Sequence, residues 1–134
     1  MSRKSAREYA YKLVFEYIFS KDANTPTKDQ IFQDPNLTSS DADYITKVYQ
    51  GVQEHYDELM ELISNNAKNF KLERIFKPDL AALLLAICEM KYIDDIPMNV
   101  SISEAVELVK TYSTDKSYTF VNGVLAGVYK ELSK

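Results

Sequence analysis

The segment from Asp79 to Met90 constrains the fold of this chain more than any other. It reads Asp-Leu-Ala-Ala-Leu-Leu-Leu-Ala-Ile-Cys-Glu-Met, so a helix formed here is apolar on every face. Such a helix is stable only when other elements surround it. Pro78 is suited to the first turn of a helix, and the run is shorter than the roughly 18–20 residues that cross a bilayer. The sequence therefore predicts a buried central helix wrapped by other helices.

Helical spacing continues through the rest of the chain. Apolar residues recur every three or four positions from Ala6 to Ile18, and again from Ile45 to Ile63, which predicts one long helix there. Thr25-Pro26 indicates the start of a short helix. The three glycines and four prolines are too few for the turns of a sandwich or barrel. We therefore expect an all-α domain of about five to seven helices.

Capping signals predict where several helices begin. Thr38 and Asp41 have capping-box spacing ahead of the long helix, and Ser101 and Glu104 have it ahead of a later one. One residue of Thr114-Asp115 is the expected N-cap of a last helix, because both side chains can accept from helix N–H groups.

Residue types that support catalysis or metal binding are scarce. His55 is the single histidine, which excludes a histidine metal cluster, and it is predicted to lie on the surface. Cys88 falls inside the apolar segment, where burial keeps a thiol inert. Three glycines leave no phosphate-binding loop, and Asp94-Asp95 lacks further oxygen ligands for a cation. We expect a binding protein with no catalytic residues, no metal and no cofactor.

One cysteine and the absence of an export signal or membrane span predict a reducing cytoplasm and no membrane partner. Charge indicates a different kind of partner. The start of the chain carries Arg3, Lys4, Arg7 and Lys12 against Glu8 alone, although the whole chain has a net charge of −4. These basic side chains mostly avoid the apolar face of the predicted helix, and such spacing suits successive phosphates. A solvated helix start has nearly the same pattern, so both interpretations stand.

A second candidate region extends from Tyr112 to Gly123. Tyr112 and Tyr118 offer surfaces on which splayed RNA bases stack. Lys116 lies near the start of the last predicted helix, and a helix N-terminus favours phosphate. Phe120 fits the apolar face of that helix and is expected to pack in part against the core.

Three motifs in order resemble the NusB transcription antitermination family. Asp94-Asp95-Ile-Pro precedes ISEAVELVK at 102–110 and FVNGVL at 120–125. The family reads acid-x-Pro, then N-E-A-(V/I)-E-L-A-K, then F-V-N-G-V-L. The opening at 3–8 resembles the family's basic start, R-x-x-A-R-E. The resemblance covers essentially the whole chain.

This resemblance implies a fold and a function. The implied fold is an all-α, NusB-like bundle of about seven helices in two packed helical subdomains around a buried central helix, as one RNA-binding domain over 1–134. The implied protein is a non-enzymatic antitermination factor. With the ribosomal protein NusE it binds the single-stranded boxA element of nascent ribosomal RNA. With other Nus factors it helps RNA polymerase resist termination.

The resemblance and the two candidate regions together predict the contact residues. The predicted RNA-binding residues are Arg3, Lys4, Arg7, Lys12, Tyr112, Lys116, Tyr118 and Phe120. The residues implied to face NusE are Phe15, Glu73, Arg74 and Asp79, with Asp79 expected at the exposed start of the central helix. Lys116 stands where the family often has an acid, and we expect it to compensate partly for a start with fewer arginines.

Two alternatives remain open from the sequence. One is the NusB-like RNA-binding domain of a ribosomal RNA cytosine methyltransferase, which would require a catalytic part beyond these residues. The other is a purely structural dimerisation module, because some members of the family self-associate as homodimers and such association can mask a basic surface.

Overall fold

The structure, a computed structural model, describes residues 1–133, which fold into seven α-helices without a strand. No helix among these residues is long and apolar enough to cross a membrane. A single 3-10 turn spans Leu72–Arg74. The helices are α1 (Arg3–Ser20), α2 (Pro26–Phe32), α3 (Ser39–Glu54), α4 (Tyr56–Asn66), α5 (Lys77–Tyr92), α6 (Met98–Tyr112) and α7 (Ser117–Leu132).

Helix α5 is the buried centre, as the apolar segment predicts. Every residue from Leu80 to Cys88 is at most 2% exposed. Helices α1 and α3 pack on each other and form one group, and α7 packs on α4 and α6 in a second group. Helix α5 contacts all five of these helices. Burial raises the pKa of the Cys88 thiol to about 12, so the thiol is protonated and inert at neutral pH. The two groups therefore share one core built around α5.

The first helix and the third begin at well-formed caps. The Ser2 hydroxyl accepts from the Ser5 amide at 3.1 Å ahead of α1. The predicted capping box of α3 is confirmed: Thr38 Oγ1 accepts from the Asp41 amide, and Asp41 Oδ2 accepts from the Thr38 amide. The hydrogen bonds from Thr38 lower the pKa of Asp41. The short helix expected after Thr25 is α2.

The prediction of one long helix through Ile63 is wrong, because the helix is interrupted at His55. This residue has φ −113° and ψ 19°, and it ends α3 and begins α4. Its ring stacks on Tyr92 of α5 with centroids 4.0 Å apart. The break lets α4 pack against α7 as well as α5. Each half stays amphipathic, so the spacing alone carried no sign of the break.

The capping box predicted at Ser101 and Glu104 is also wrong. Helix α6 begins at Met98, directly after Pro97, so both residues lie within the helix. The Ser101 hydroxyl donates to Glu89 at 2.9 Å, and Glu104 accepts from an arginine of α1. Similarly, α7 begins at Ser117 with Lys116 as its N-cap, one to two residues after the position predicted.

Candidate nucleic-acid interface

Arg7 is buried, so its predicted position on the RNA-binding surface of α1 is wrong. The residue is 4% exposed. Its Nε and Nη2 donate to the two carboxylate oxygens of Glu89 at 2.9 Å each, and its Nη1 donates to Glu104 at 3.2 Å. Charge-assisted bonds of this bidentate kind are strong. Burial opposes the charge of Arg7, but these bonds and charges outweigh it and raise its pKa. The guanidinium is therefore not available to a phosphate in this structure.

Glu89 is the centre of this buried network. It also accepts from the Tyr44 hydroxyl and from the Ser101 hydroxyl. Burial raises the pKa of Tyr44, so the hydroxyl keeps its proton and remains a donor. The network thus joins α1, α3, α5 and α6 through one carboxylate. We call Arg7, Glu89, Tyr44, Ser101 and Glu104 the buried network.

Arg3 is exposed but lies apart from the other predicted RNA-binding residues. Its guanidinium carbon sits 4.4 Å from the centroid of the Tyr44 ring, in cation–π contact. It lines a groove together with Lys47 of α3 and Asp95 of the α5–α6 loop. The Arg3 side chain therefore faces α3, whereas Lys4 and Lys12 face the end of α6.

Lys4 and Lys12 lie on α1 beside the end of α6. Lys12 Nζ is 5.9 Å from the ring centroid of Tyr112. The Tyr112 hydroxyl donates to Glu8 at 3.0 Å, and Lys4 lines a shallow pocket with Glu8 and Thr111. Lys4 and Lys12 thus share one surface with the predicted stacking residue Tyr112, although they lie about a hundred positions away from it in the chain.

A cleft of about 200 Å³ opens on this surface. Its lining mixes residues predicted for RNA with one predicted for the protein partner, Phe15. We call it the tyrosine cleft. It is lined by Tyr11, Lys12, Phe15, Pro78 and Tyr112.

A second cleft of about 190 Å³ lies at the start of α7. It brings Lys116 and Phe120, predicted for RNA, together with Arg74 and Asp79, predicted for NusE. We call it the phenylalanine cleft. It is lined by Phe70, Arg74, Ile75, Phe76, Asp79, Thr114, Lys116, Ser117 and Phe120.

Asp79 lines the phenylalanine cleft, next in sequence to Pro78 of the tyrosine cleft, and its predicted exposure is wrong. It is 6% exposed and accepts from the Ser113 hydroxyl at 2.6 Å. Next to it, the Pro78 carbonyl accepts from the Tyr11 hydroxyl at 3.0 Å. The start of α5 is therefore fixed against α1 and the end of α6. Glu73 and Arg74, by contrast, are exposed on the 3-10 turn.

Tyr118 is 45% exposed, and the phenylalanine cleft leaves it outside its lining. Its ring lies 5.4 Å from Lys110 Nζ. Phe120 is half-buried, and its ring packs edge-on against Phe70 with centroids 4.8 Å apart. Phe70 and Phe76 are cleft residues that the sequence did not assign. The only signal for them was the basic, aromatic composition of residues 68–77.

Comparison with known proteins adds to this geometry. The NusB family model matches residues 4–130. The chain belongs to the NusB family. The transcription antitermination protein NusB of Finegoldia magna is 37% identical over 130 residues, covering 97% of this chain and 95% of that protein. The NusB of Acetivibrio thermocellus is 42% identical over 130 residues, covering 97% and 90%. As a member of the NusB family, the chain is a transcription antitermination factor.

Solved NusB structures share the fold. T. maritima NusB matches with a TM-score of 0.87 and 28% identity, over 98% of this chain and 92% of that one. A chain in the crystal structure of the antitermination factors NusB and NusE in complex with dsRNA matches with a TM-score of 0.83. At 23% identity, over 96% of each chain, that match establishes the fold. The all-α architecture with a central helix is thus confirmed.

Proposed function

We propose that this NusB-family chain binds single-stranded boxA RNA together with NusE, and acts without catalysis in the cytoplasmic antitermination complex of RNA polymerase. The observation that carries the proposal is that basic and aromatic residues far apart in the sequence lie close together in the fold. Lys12 and Tyr112 line the tyrosine cleft, and Lys116 and Phe120 line the adjacent phenylalanine cleft. Cations supply affinity for phosphates, and aromatic rings accept splayed bases.

The charge of the chain supports a local anion site. With a net charge of −4, the molecule as a whole repels a polyanion. Lys12 and Lys116 are nevertheless exposed in the lining of the two clefts, and Lys4 is exposed at a separate pocket that it shares with Glu8 and Thr111. Arg3 extends the basic surface toward α3, while Arg7 acts from the interior by fixing α1. RNA affinity is therefore expected to depend on a few lysines and to weaken with salt, by a slope of about 0.7 for each phosphate contact.

NusE is proposed as the protein partner. Phe15 in the tyrosine cleft and Glu73 and Arg74 on the 3-10 turn offer an apolar and charged surface beside the RNA face. A chain with this fold is found with NusE and dsRNA in a solved complex. Asp79 would support this surface by holding Ser113 and the start of α5.

Fluorescence anisotropy tests the proposal. A boxA-like RNA and a scrambled RNA of equal length are titrated with the protein, with and without NusE, over a salt series. We expect preference for boxA that becomes tighter with NusE. Lys116→Gln should weaken binding, and Lys28→Gln on α2 is the matched control. Equal binding to both RNAs, unchanged by NusE, would contradict the proposed function. Light scattering on the same samples distinguishes a monomer from a homodimer that ignores RNA.

A further inference from the structure

The phenylalanine cleft contains two aromatic rings that remain about half exposed, although Phe70 also packs edge-on against Phe120. Phe70 is 53% exposed and Phe76 is 54% exposed. Ile75 between them is 3% exposed and belongs to the core. The backbone around Ile75 thus anchors the segment, while the phenylalanines on either side open into the cleft. Large exposed apolar groups of this kind mark a binding surface.

The surroundings of the two rings are basic. Residues 68–77 carry four cations, Lys68, Lys71, Arg74 and Lys77, against the single acid Glu73. Lys116 adds a cation across the cleft, and the buried Asp79 is already bonded to Ser113. An apolar cleft with a basic rim, on a chain of net negative charge, is complementary to an anionic ligand with flat apolar groups.

Hydroxyl groups line the third side of the cleft. Thr114 is exposed just before α7, whereas Ser117 at the start of α7 is 3% exposed and its hydroxyl lies 2.9 Å from that of Thr114. They face the same cleft as the ring of Phe120, which is held edge-on by Phe70. Rings, cations and hydroxyls are the three groups that proteins use for single-stranded RNA: stacking, phosphate contact and hydrogen bonds to base edges.

We infer that the phenylalanine cleft is a base-binding pocket, in which splayed bases of single-stranded RNA stack on Phe70 and on Phe76 while Lys116 and Arg74 contact the flanking phosphates. This inference rests on the proposed RNA-binding function and assigns to RNA two residues, Phe70 and Phe76, that the sequence did not. It also assigns Arg74, which the resemblance implies to face NusE, to a contact with RNA phosphate.

The test combines anisotropy with a fluorescent base. A boxA-like RNA carrying 2-aminopurine at successive positions reports stacking by quenching, and labelled RNA reports affinity. We expect Phe70→Ala and Phe76→Ala each to weaken RNA binding about tenfold, because one base loses its stacking partner. Phe76→Leu should weaken it as well, since leucine keeps the apolar volume but lacks a ring. Tyr129→Ala, which removes a 44% exposed aromatic ring on α7 outside the cleft, is the control.

The salt dependence separates stacking from charge. The phenylalanine variants should keep the wild-type slope of log affinity against log salt, whereas Lys116→Gln should reduce it by about 0.7 for one phosphate contact with single-stranded RNA. Wild-type affinity and quenching in Phe70→Ala and Phe76→Ala would overturn the inference and leave the proposed function intact. Loss of NusE binding without loss of RNA binding would overturn it in favour of a protein contact. Wild-type protein that ignores RNA would overturn both proposals.

Discussion

The buried network and the two clefts use the same residue types in opposite ways. In the buried network, Arg7 and Glu89 satisfy each other in the interior and fix four helices. In the clefts, Lys12 and Lys116 stay exposed beside aromatic rings. A charge enclosed by partners serves the fold, because removing one partner leaves the other desolvated. A charge left in water remains free for a ligand.

The largest expected effect comes from breaking the buried network. Glu89→Ala leaves Arg7 buried without its bidentate partner, so we expect the free energy of unfolding to fall by about 3–5 kcal/mol. Urea unfolding followed by circular dichroism measures this. Glu107→Ala, an exposed acid on α6 paired only with Lys110 at 3.7 Å, is the matched control and should change stability by less than about 0.5 kcal/mol. Similar losses in the free energy of unfolding in both variants would contradict the distinction between buried and exposed charges.

A smaller effect is expected at Asp79, a buried acid in the lining of the phenylalanine cleft. Asp79→Ala removes the acceptor of Ser113 beneath the clefts, and a bond to a charged group contributes about 1.5–3 kcal/mol. We expect a loss of about 2 kcal/mol in the free energy of unfolding. Asp115→Ala, an exposed acid nearby, should have almost no effect. If Asp79→Ala weakened NusE binding at unchanged stability, Asp79 would be a contact residue instead of a supporting one.

The cleft lysines should affect binding and leave stability nearly unchanged. Lys12→Gln and Lys116→Gln are each expected to lower the salt slope of RNA binding by about 0.7, while the free energy of unfolding stays within about 0.5 kcal/mol of wild type. Lys116→Asp should weaken binding further, because it places an acid beside RNA. Anisotropy and urea unfolding on the same preparations check this. Unchanged RNA affinity in Lys116→Asp would show that Lys116 does not compensate for the sparse N-terminal arginines.

The smallest effect is expected at the glycines of α7. A Cβ added to Gly123 would meet no atom within 4 Å, so Gly123→Ala should raise the free energy of unfolding by about 0.5–1 kcal/mol through helix propensity. A Cβ on Gly127 would collide with Asn66 of α4, so Gly127→Ala should destabilise the fold. Thermal unfolding gives the sign for each. Two shifts of the same sign would show that α7 packs differently against α4.

Much of the fold could be predicted because its signals are local. The all-apolar segment before Met90 predicts the central helix, and the Thr38–Asp41 spacing predicts a cap that the structure confirms. The break at His55 could not be predicted, because it depends on Tyr92 and on the packing of α4 against α7. The family motifs gave the function correctly, and they placed Arg7 and Asp79 on a surface from which both are withdrawn.

The sequence by itself determined the helical class, the central helix, the family and the residue types of the proposed RNA face, because periodicity, caps and motifs are read within a few turns of chain. The tertiary structure alone decided which charges are free. Arg7 and Lys12 look alike along α1, but only Arg7 meets the carboxylates of α5 and α6. Phe70 and Phe76 likewise join Lys116 only in the folded chain. Burial and pairing depend on residues far apart in sequence, so the packing of the helices settles them.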